Sequence, residues 1–160
     1  MINKKQLLII CSCLVVSACS TVTCPATANQ IKAGGDYSGC DLRNFNLTNM
    51  DIPNTCFDNA NLDNASFLGV YAPFSSFKNT SLRGVNFTNA NLQASNLTFS
   101  NLVRSNLSNA DFRGADFTNA TIYKTTGKGL MLYGAKFNHT RWSNGKLCAY
   151  DSIGKCNIVE

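Results

Sequence analysis

Large apolar residues recur at every fifth position from Gly35 to Asn144. Written in fives from Gly35, the rows begin GDYSG, CDLRN, FNLTN, MDIPN, TCFDN, ANLDN and ASFLG. They close with ADFRG, ADFTN, ATIYK, TTGKG, LMLYG, AKFNH and TRWSN. The third position is large and apolar in every row except those centred on Ala72 and Gly127. The first position is small in most rows; Phe45, Met50 and Leu130 depart from this. The second is mostly Asn or Asp through Asn61 and again from Asn86 to Asp116.

Neither common period explains this pattern. A helix repeats its apolar positions at spacings of three and four, and a half-buried strand at two. A period of five with one large and one small inward residue calls for a turn in every row. Four such sides close a square coil of about 20 residues, whose successive turns stack at the inter-strand spacing of about 4.8 Å. Residues 20 apart then form columns. Tyr37, Phe57, Phe77, Leu97 and Phe117 make one interior column, and Leu47, Phe67, Phe87 and Leu107 the opposite one. Leu42, Leu62, Leu82, Leu102 and Ile122 make a third. The expected fold is all-β, a quadrilateral parallel β-helix over residues 35–144, with about 5.5 coils and a length of roughly 26 Å at that spacing. Two rows break the pattern and are expected to bulge or loosen: 70–74, with Ala72 and the non-donating Pro73, and 125–129, with Gly127 at its centre.

Composition agrees with stacked β-structure. Only 14% of residues are charged and 44% are hydrophobic. Asn, Ser and Thr fill the polar positions, where ladders of such side chains form along a stack.

The amino terminus has a different character. Lys4 and Lys5 precede an apolar run from Leu7 to Val16, then Ser17, Ala18 and Cys19. A basic start, a short apolar stretch and a small-residue site make an export signal over residues 1–18. The run is shorter than a membrane span, which needs about 20 apolar residues. Val16-Ser17-Ala18-Cys19 is similar to a bacterial lipobox, which makes Cys19 a candidate lipidation site and residues 19–34 a tether with little regular structure. Ser20 after the Cys suits the outer membrane. Ala26-Thr27-Ala28 offers a rival site for ordinary cleavage. Cleavage after Ala18 without lipid leaves six cysteines, and cleavage after Ala28 leaves four. A lipidated Cys19 leaves five that can pair, an odd number. An even count suits a fully paired exported protein.

Rows such as ANLDN, ANLQA, ADFRG and ADFTN match the A-(D/N)-L-x-x motif, and the chain resembles the pentapeptide-repeat family over residues 35–144. The resemblance implies a right-handed coil and says little about function, because function lives in sites grafted on the scaffold. The segment from Trp142-Ser143-Asn144-Gly145 to Cys156 is similar to the tails of other exported members. That similarity implies a cap over 145–160 closed by a Cys148–Cys156 disulfide. Some members of the family mimic DNA and shield gyrase. Such members are cytoplasmic and strongly acidic, unlike this chain.

No catalytic constellation is legible. His139, the only histidine, falls last in its row and is expected to face solvent. The Asp residues sit mostly at the second position, where side chains cap turns. The cysteines lack metal spacing. No cofactor, metal or nucleic acid is expected. The Asn-x-Ser/Thr sequons, such as Asn46, Asn96 and Asn138, fall out of the repeat itself. Charge is uneven. The precursor carries +5. Residues 19–70 are acidic and residues 121–160 basic, which suggests a patch for an anionic partner formed by Lys124, Lys128, Lys136, Arg141 and Lys146. The functional expectation is a non-catalytic cell-envelope scaffold or interaction module that binds a protein or an anionic ligand. Its place is the periplasmic side of the outer membrane as a lipoprotein, or soluble in the periplasm or medium. A secreted effector or adhesin is the alternative.

Overall fold

The structure is a computed structural model and describes residues 23–158. A single 3₁₀ turn, Ala28–Gln30, is the only helix among the described residues. From Asp36↔Cys56 to Thr121↔Arg141, parallel bridges join second-position residues that lie 20 apart. The chain is therefore a four-sided solenoid. Face 1 carries the rows centred on Tyr37, Phe57, Phe77, Leu97, Phe117 and Phe137. Face 2 carries those on Leu42, Leu62, Leu82, Leu102, Ile122 and Trp142. Face 3 carries those on Leu47, Phe67, Phe87, Leu107 and Gly127, and face 4 those on Ile52, Ala72, Leu92, Phe112 and Leu132.

Each position of a row has its own task. The third-position side chain points inward, and nearly all of these are buried. Its amide donates to the following coil, as Leu62 N does to Asn61's successor in the stack, the Ser81 carbonyl, at 2.8 Å. The second-position Asn or Asp accepts the amide two residues on, as Asn96 Oδ1 does from Thr98 N at 3.0 Å. Buried first-position hydroxyls donate to backbone carbonyls, as Ser100 Oγ does to Leu97 O at 2.7 Å. The fifth position turns the corner with positive φ, as in Asn44, Asn64, Gly69 and Gly84. Gly is at no steric cost there and Asn tolerates it well.

The rings stack as the columns require. Phe57 and Phe77 lie parallel at 5.2 Å, and Phe117 and Phe137 at 5.2 Å. Rings from opposite faces meet edge-on across the interior, with Phe67 5.8 Å from Phe77.

The two irregular rows behave differently from each other, and only the second loosens as the sequence suggests. Row 70–74 is neither a bulge nor a loop. Its ladder is complete: Tyr71 N donates to Met50 O, Ala72 N to Asn91 O, and Phe74 N to Gln93 O. Pro73 occupies the fourth position, whose amide in other rows bonds to a side chain, either the second-position Asn or Asp of its own row or an Asp of the preceding coil, and not to the backbone ladder. The missing N–H therefore removes nothing from the ladder. Row 125–129 still receives Leu107 N and Asn109 N on its carbonyls. No further row stacks on it in face 3, and Gly127 is exposed.

Both ends are closed by chain outside the repeat. Residues 23–34, expected to be irregular tether, are fixed to the first coil. Cys24 and Cys40 form a disulfide with Cα atoms 5.4 Å apart. Ile31 is buried over the core, and Tyr37 Oη accepts from Lys32 N at 2.8 Å. At the other end the chain reverses at Gly145. Arg141↔Leu147 and Lys136↔Ile153 are antiparallel bridges. The cap thus covers faces 1 and 2, and Trp142 packs edge-on against Phe137 at 5.0 Å. Cys148 and Cys156 sulfurs lie 2.04 Å apart.

Candidate functional site

The expected basic patch does not form one surface. Lys128 stands on face 3. Lys136 is on face 1, with its Nζ 3.9 Å from Asp116. Lys124 and Arg141 lie on face 2, and Lys146 joins them through the hairpin that pairs Arg141 with Leu147. The fold adds two residues that sequence reasoning missed: Arg83 and Arg104 on the same face. All five of these face-2 cations are exposed. Counting in twenties reveals the omission, since Arg104 and Lys124 occupy the same corner of successive coils.

Face 2 carries the charge of the described protein. Its cations are Arg43, Arg83, Arg104, Lys124, Arg141 and Lys146, and its acids are Asp41 and Asp63. On all other described residues, Lys32, Lys78, Arg113, Lys128, Lys136 and Lys155 are balanced one for one by Asp36, Asp51, Asp58, Asp111, Asp116 and Asp151. The face-2 acids both lie toward the amino-terminal end. Asp41 is paired with Arg43 at 2.6 Å, and the Arg43 hydrogen bond holds its carboxyl below the usual range. Asp63 accepts from Ser81 Oγ at 2.6 Å and from Arg83 N at 3.0 Å. From Ser81 to Leu147, face 2 has no acidic residue.

The surface is shallow. A depression of about 280 Å³ is lined by Asp63, Asn64, Arg83, Gly84, Val103 and Arg104. Gly84 makes it, since a Cβ there would meet Asn64 Oδ1 at 2.6 Å. Farther along, Lys124 Nζ sits 5.2 Å from the centre of the Tyr123 ring, and Arg141 Nη1 donates to Gly145 O at 3.1 Å. A smaller opening of about 110 Å³ lies at the capped end between Leu107, Gly127, Leu130 and Trp142.

His139 is exposed at a corner, 6.1 Å from the Tyr150 ring. Among the described residues no three His, Cys, Asp or Glu side chains come together as a metal site would need. No described helix is long and apolar enough to cross a membrane. Cys19 lies outside the described residues, and so does its lipidation. Cys56 is disulfide-bonded. The other four described cysteines form the pairs 24–40 and 148–156.

Flat ladders of exposed side chains over a packed interior, with a disulfide at each end, define a β-solenoid that offers surfaces rather than a cleft. Comparison with known proteins gives the particular kind. The sequence profile of the family described as "Pentapeptide repeats" matches residues 38–69, 74–109 and 90–126, in eight copies. The chain belongs to the pentapeptide-repeat family, whose fold is the right-handed quadrilateral β-helix. No curated protein matches the sequence. Among solved structures, the chain is similar to a pentapeptide repeat protein from the Arabidopsis thaliana thylakoid lumen. The identity is 24% and the TM-score 0.40, over 82% of this chain and 90% of that one. It is also similar to HetL, a pentapeptide repeat protein involved in heterocyst differentiation regulation from Nostoc. There the identity is 17% and the TM-score 0.37, over 72% of this chain and 62% of that one. A third is Rfr23 from Cyanothece, at 22% identity and TM-score 0.39, over 72% of this chain and 91% of that one.

Proposed function

We propose that this chain is an exported, non-catalytic interaction module of the cell envelope that engages an anionic partner through the side of its rod. The observation that carries the reading is the concentration of all the net charge of the described residues on face 2. Long-range attraction of this kind steers and holds a partner of opposite sign, and it weakens as salt rises. Export is supported by the signal-like residues 1–18 and by disulfides, which persist in oxidising compartments. The test is cross-linking in intact cells, followed by fractionation. Cross-links to an envelope component support the reading; a protein confined to the cytoplasm overturns it. Recovery in the medium, cross-linked to a host or surface molecule, would instead support a secreted effector or adhesin.

Anchoring turns on one sulfur. With residues 1–18 removed, six cysteines remain, Cys19 among them. A lipid thioether on Cys19 and a disulfide through Cys19 exclude one another. Intact mass of the native protein separates them: added acyl mass supports the lipoprotein, and an unmodified chain with three disulfides supports the soluble form. Because Cys24 is tied to the first coil, a lipid anchor would hold the rod within about 17 Å of the bilayer, far closer than a free 19–34 tether allows.

A further inference from the structure

We infer that face 2, between Arg83 and Lys146, is a docking track for an acidic polysaccharide lying along the rod axis. This rests on the reading of the chain as a binder of anionic partners and adds which surface and which polymer.

Three observations converge. The first is linear order. Arg83, Arg104, Lys124 and Arg141 fall in successive coils of one face, so cationic groups recur at the stacking spacing of about 4.8 Å along the axis. A sugar ring spans a comparable length, so a chain with one acidic group per sugar or per disaccharide meets a cation at each step. The second is backbone strain. Arg104 and Lys124 turn their corners at φ 63° and 57°. The same corner is Asn44, Asn64 and Gly84 in the earlier coils. Left-handed backbone is uncommon for long side chains; Phe74 and Phe99 also adopt it at other corners, but among the described residues only face 2 places cations there in two successive coils. The third is the composition between the cations. Ser81, Asn101, Thr121, Tyr123 and Ser143 supply hydroxyls, amides and one ring, which match the hydroxyls and flat faces of sugars.

The same observations weigh against other polyanions. A bilayer surface calls for apolar side chains to insert beside the cations. Of the exposed large apolar residues, Tyr71, Phe74, Met131 and Tyr133 are on face 4, Phe99 is at a corner of face 1, Tyr150 and Ile153 are on the cap, and Leu147 alone lies beside the face-2 cations, at the end of the track. Nucleic acid is disfavoured by the disulfides, which belong to compartments outside the cytoplasm.

The test uses the disulfide-intact protein and Arg104→Asn/Lys124→Asn, which replaces both strained cations with the residue the corner prefers. Binding to polygalacturonate and dextran sulfate is measured against neutral dextran, with phosphatidylglycerol vesicles as a separate arm. The expected result is a loss of about tenfold in affinity for the acidic polysaccharides, with thermal stability unchanged or raised. Lys128→Gln/Lys136→Gln, on the other faces, should bind as the parent does. Equal losses from the two pairs would overturn the track, as would an unaffected Arg104→Asn/Lys124→Asn protein. Tighter binding to vesicles than to either polysaccharide would replace the polysaccharide with a membrane surface. Binding of the parent to none of the three anionic probes would overturn this inference, while the interaction-module reading would still stand or fall on its own cross-linking result.

Discussion

Rows 70–74 and 125–129 lack the same thing, a large central side chain, yet they end up opposite in character. Ala72 is fully buried in the middle of the rod, whereas Gly127 lies open at its end. The difference comes from the neighbours. Ala72 sits between Phe67 and Phe77, whose rings approach edge-on at 5.8 Å and occupy the space that a leucine would fill. Gly127 has no such flank. Leu130, an oversized first-position residue, leans into its place, so that a Cβ on Gly127 would meet Leu130 Cδ1 at 2.4 Å. The first row is repaired by volume shared across faces, and the second by a residue three positions on. What counts for the coil is the total interior volume, as in other close-packed cores.

The largest expected effect tests the shared-volume claim in mid-rod. Phe77→Asp places an unpaired charge in a fully buried column and removes the ring beside Ala72. We expect a loss of more than about 4 kcal/mol, or failure to fold, measured by thermal or denaturant unfolding. Thr98→Asp, at an outward position of the same face, should cost less than about 0.5 kcal/mol. Similar losses from the two would mean that the row register is wrong.

Ala72→Leu restores the consensus centre yet should destabilise by about 1–3 kcal/mol, because Phe67 and Phe77 already fill the site. A stabilised Ala72→Leu protein would show that row 70–74 is underfilled. At the rod end the opposite holds. Gly127→Leu combined with Leu130→Gly exchanges the two roles, and the pair should fall within about 1 kcal/mol of the parent in a double-mutant cycle while Gly127→Leu alone costs more.

The smallest effect concerns charge. Asp111 lies on face 4, bonded by Arg113 at 2.7 Å and by Gln93 Nε2 at 2.8 Å. The Arg113 hydrogen bond holds its carboxyl below the ordinary value. A depressed folded-state pKa gives stability that is present above the unfolded value, about 3.9, and is lost as pH falls through the folded one. Asp111→Asn should therefore lower the melting temperature slightly at pH 7 and flatten its fall in acid. An unchanged acid profile would show that the ion pair contributes nothing measurable, as is common at surfaces.

Much of this architecture was legible in the residues. The columns Tyr37–Phe57–Phe77 and Leu42–Leu62–Leu82 could be written down before any coordinates. Pro73 reads as a break in the stack only if every amide donates to the ladder, and the fourth-position amide does not. Which positions donate to the next coil is a matter of backbone geometry that the letters do not carry. The fifth position carries a further signal: its Asn and Gly residues mark left-handed corners, against which Phe74, Ala94, Phe99, His139 and the cations Arg104 and Lys124 stand out.

What the sequence determined by itself, then, is everything that repeats. A contact between residues 20 apart is encoded by the period, since each coil meets the next in the same way and one inward position per row sets the stack. The ends do not repeat, so only the tertiary structure decided them. Cys24 finds Cys40, Lys146 reaches face 2, and faces 3 and 4 stay open at the carboxyl end. These follow from which part of the terminal core most needs cover: Phe137 and Trp142 offer an apolar surface for the cap, and Gly127 offers none.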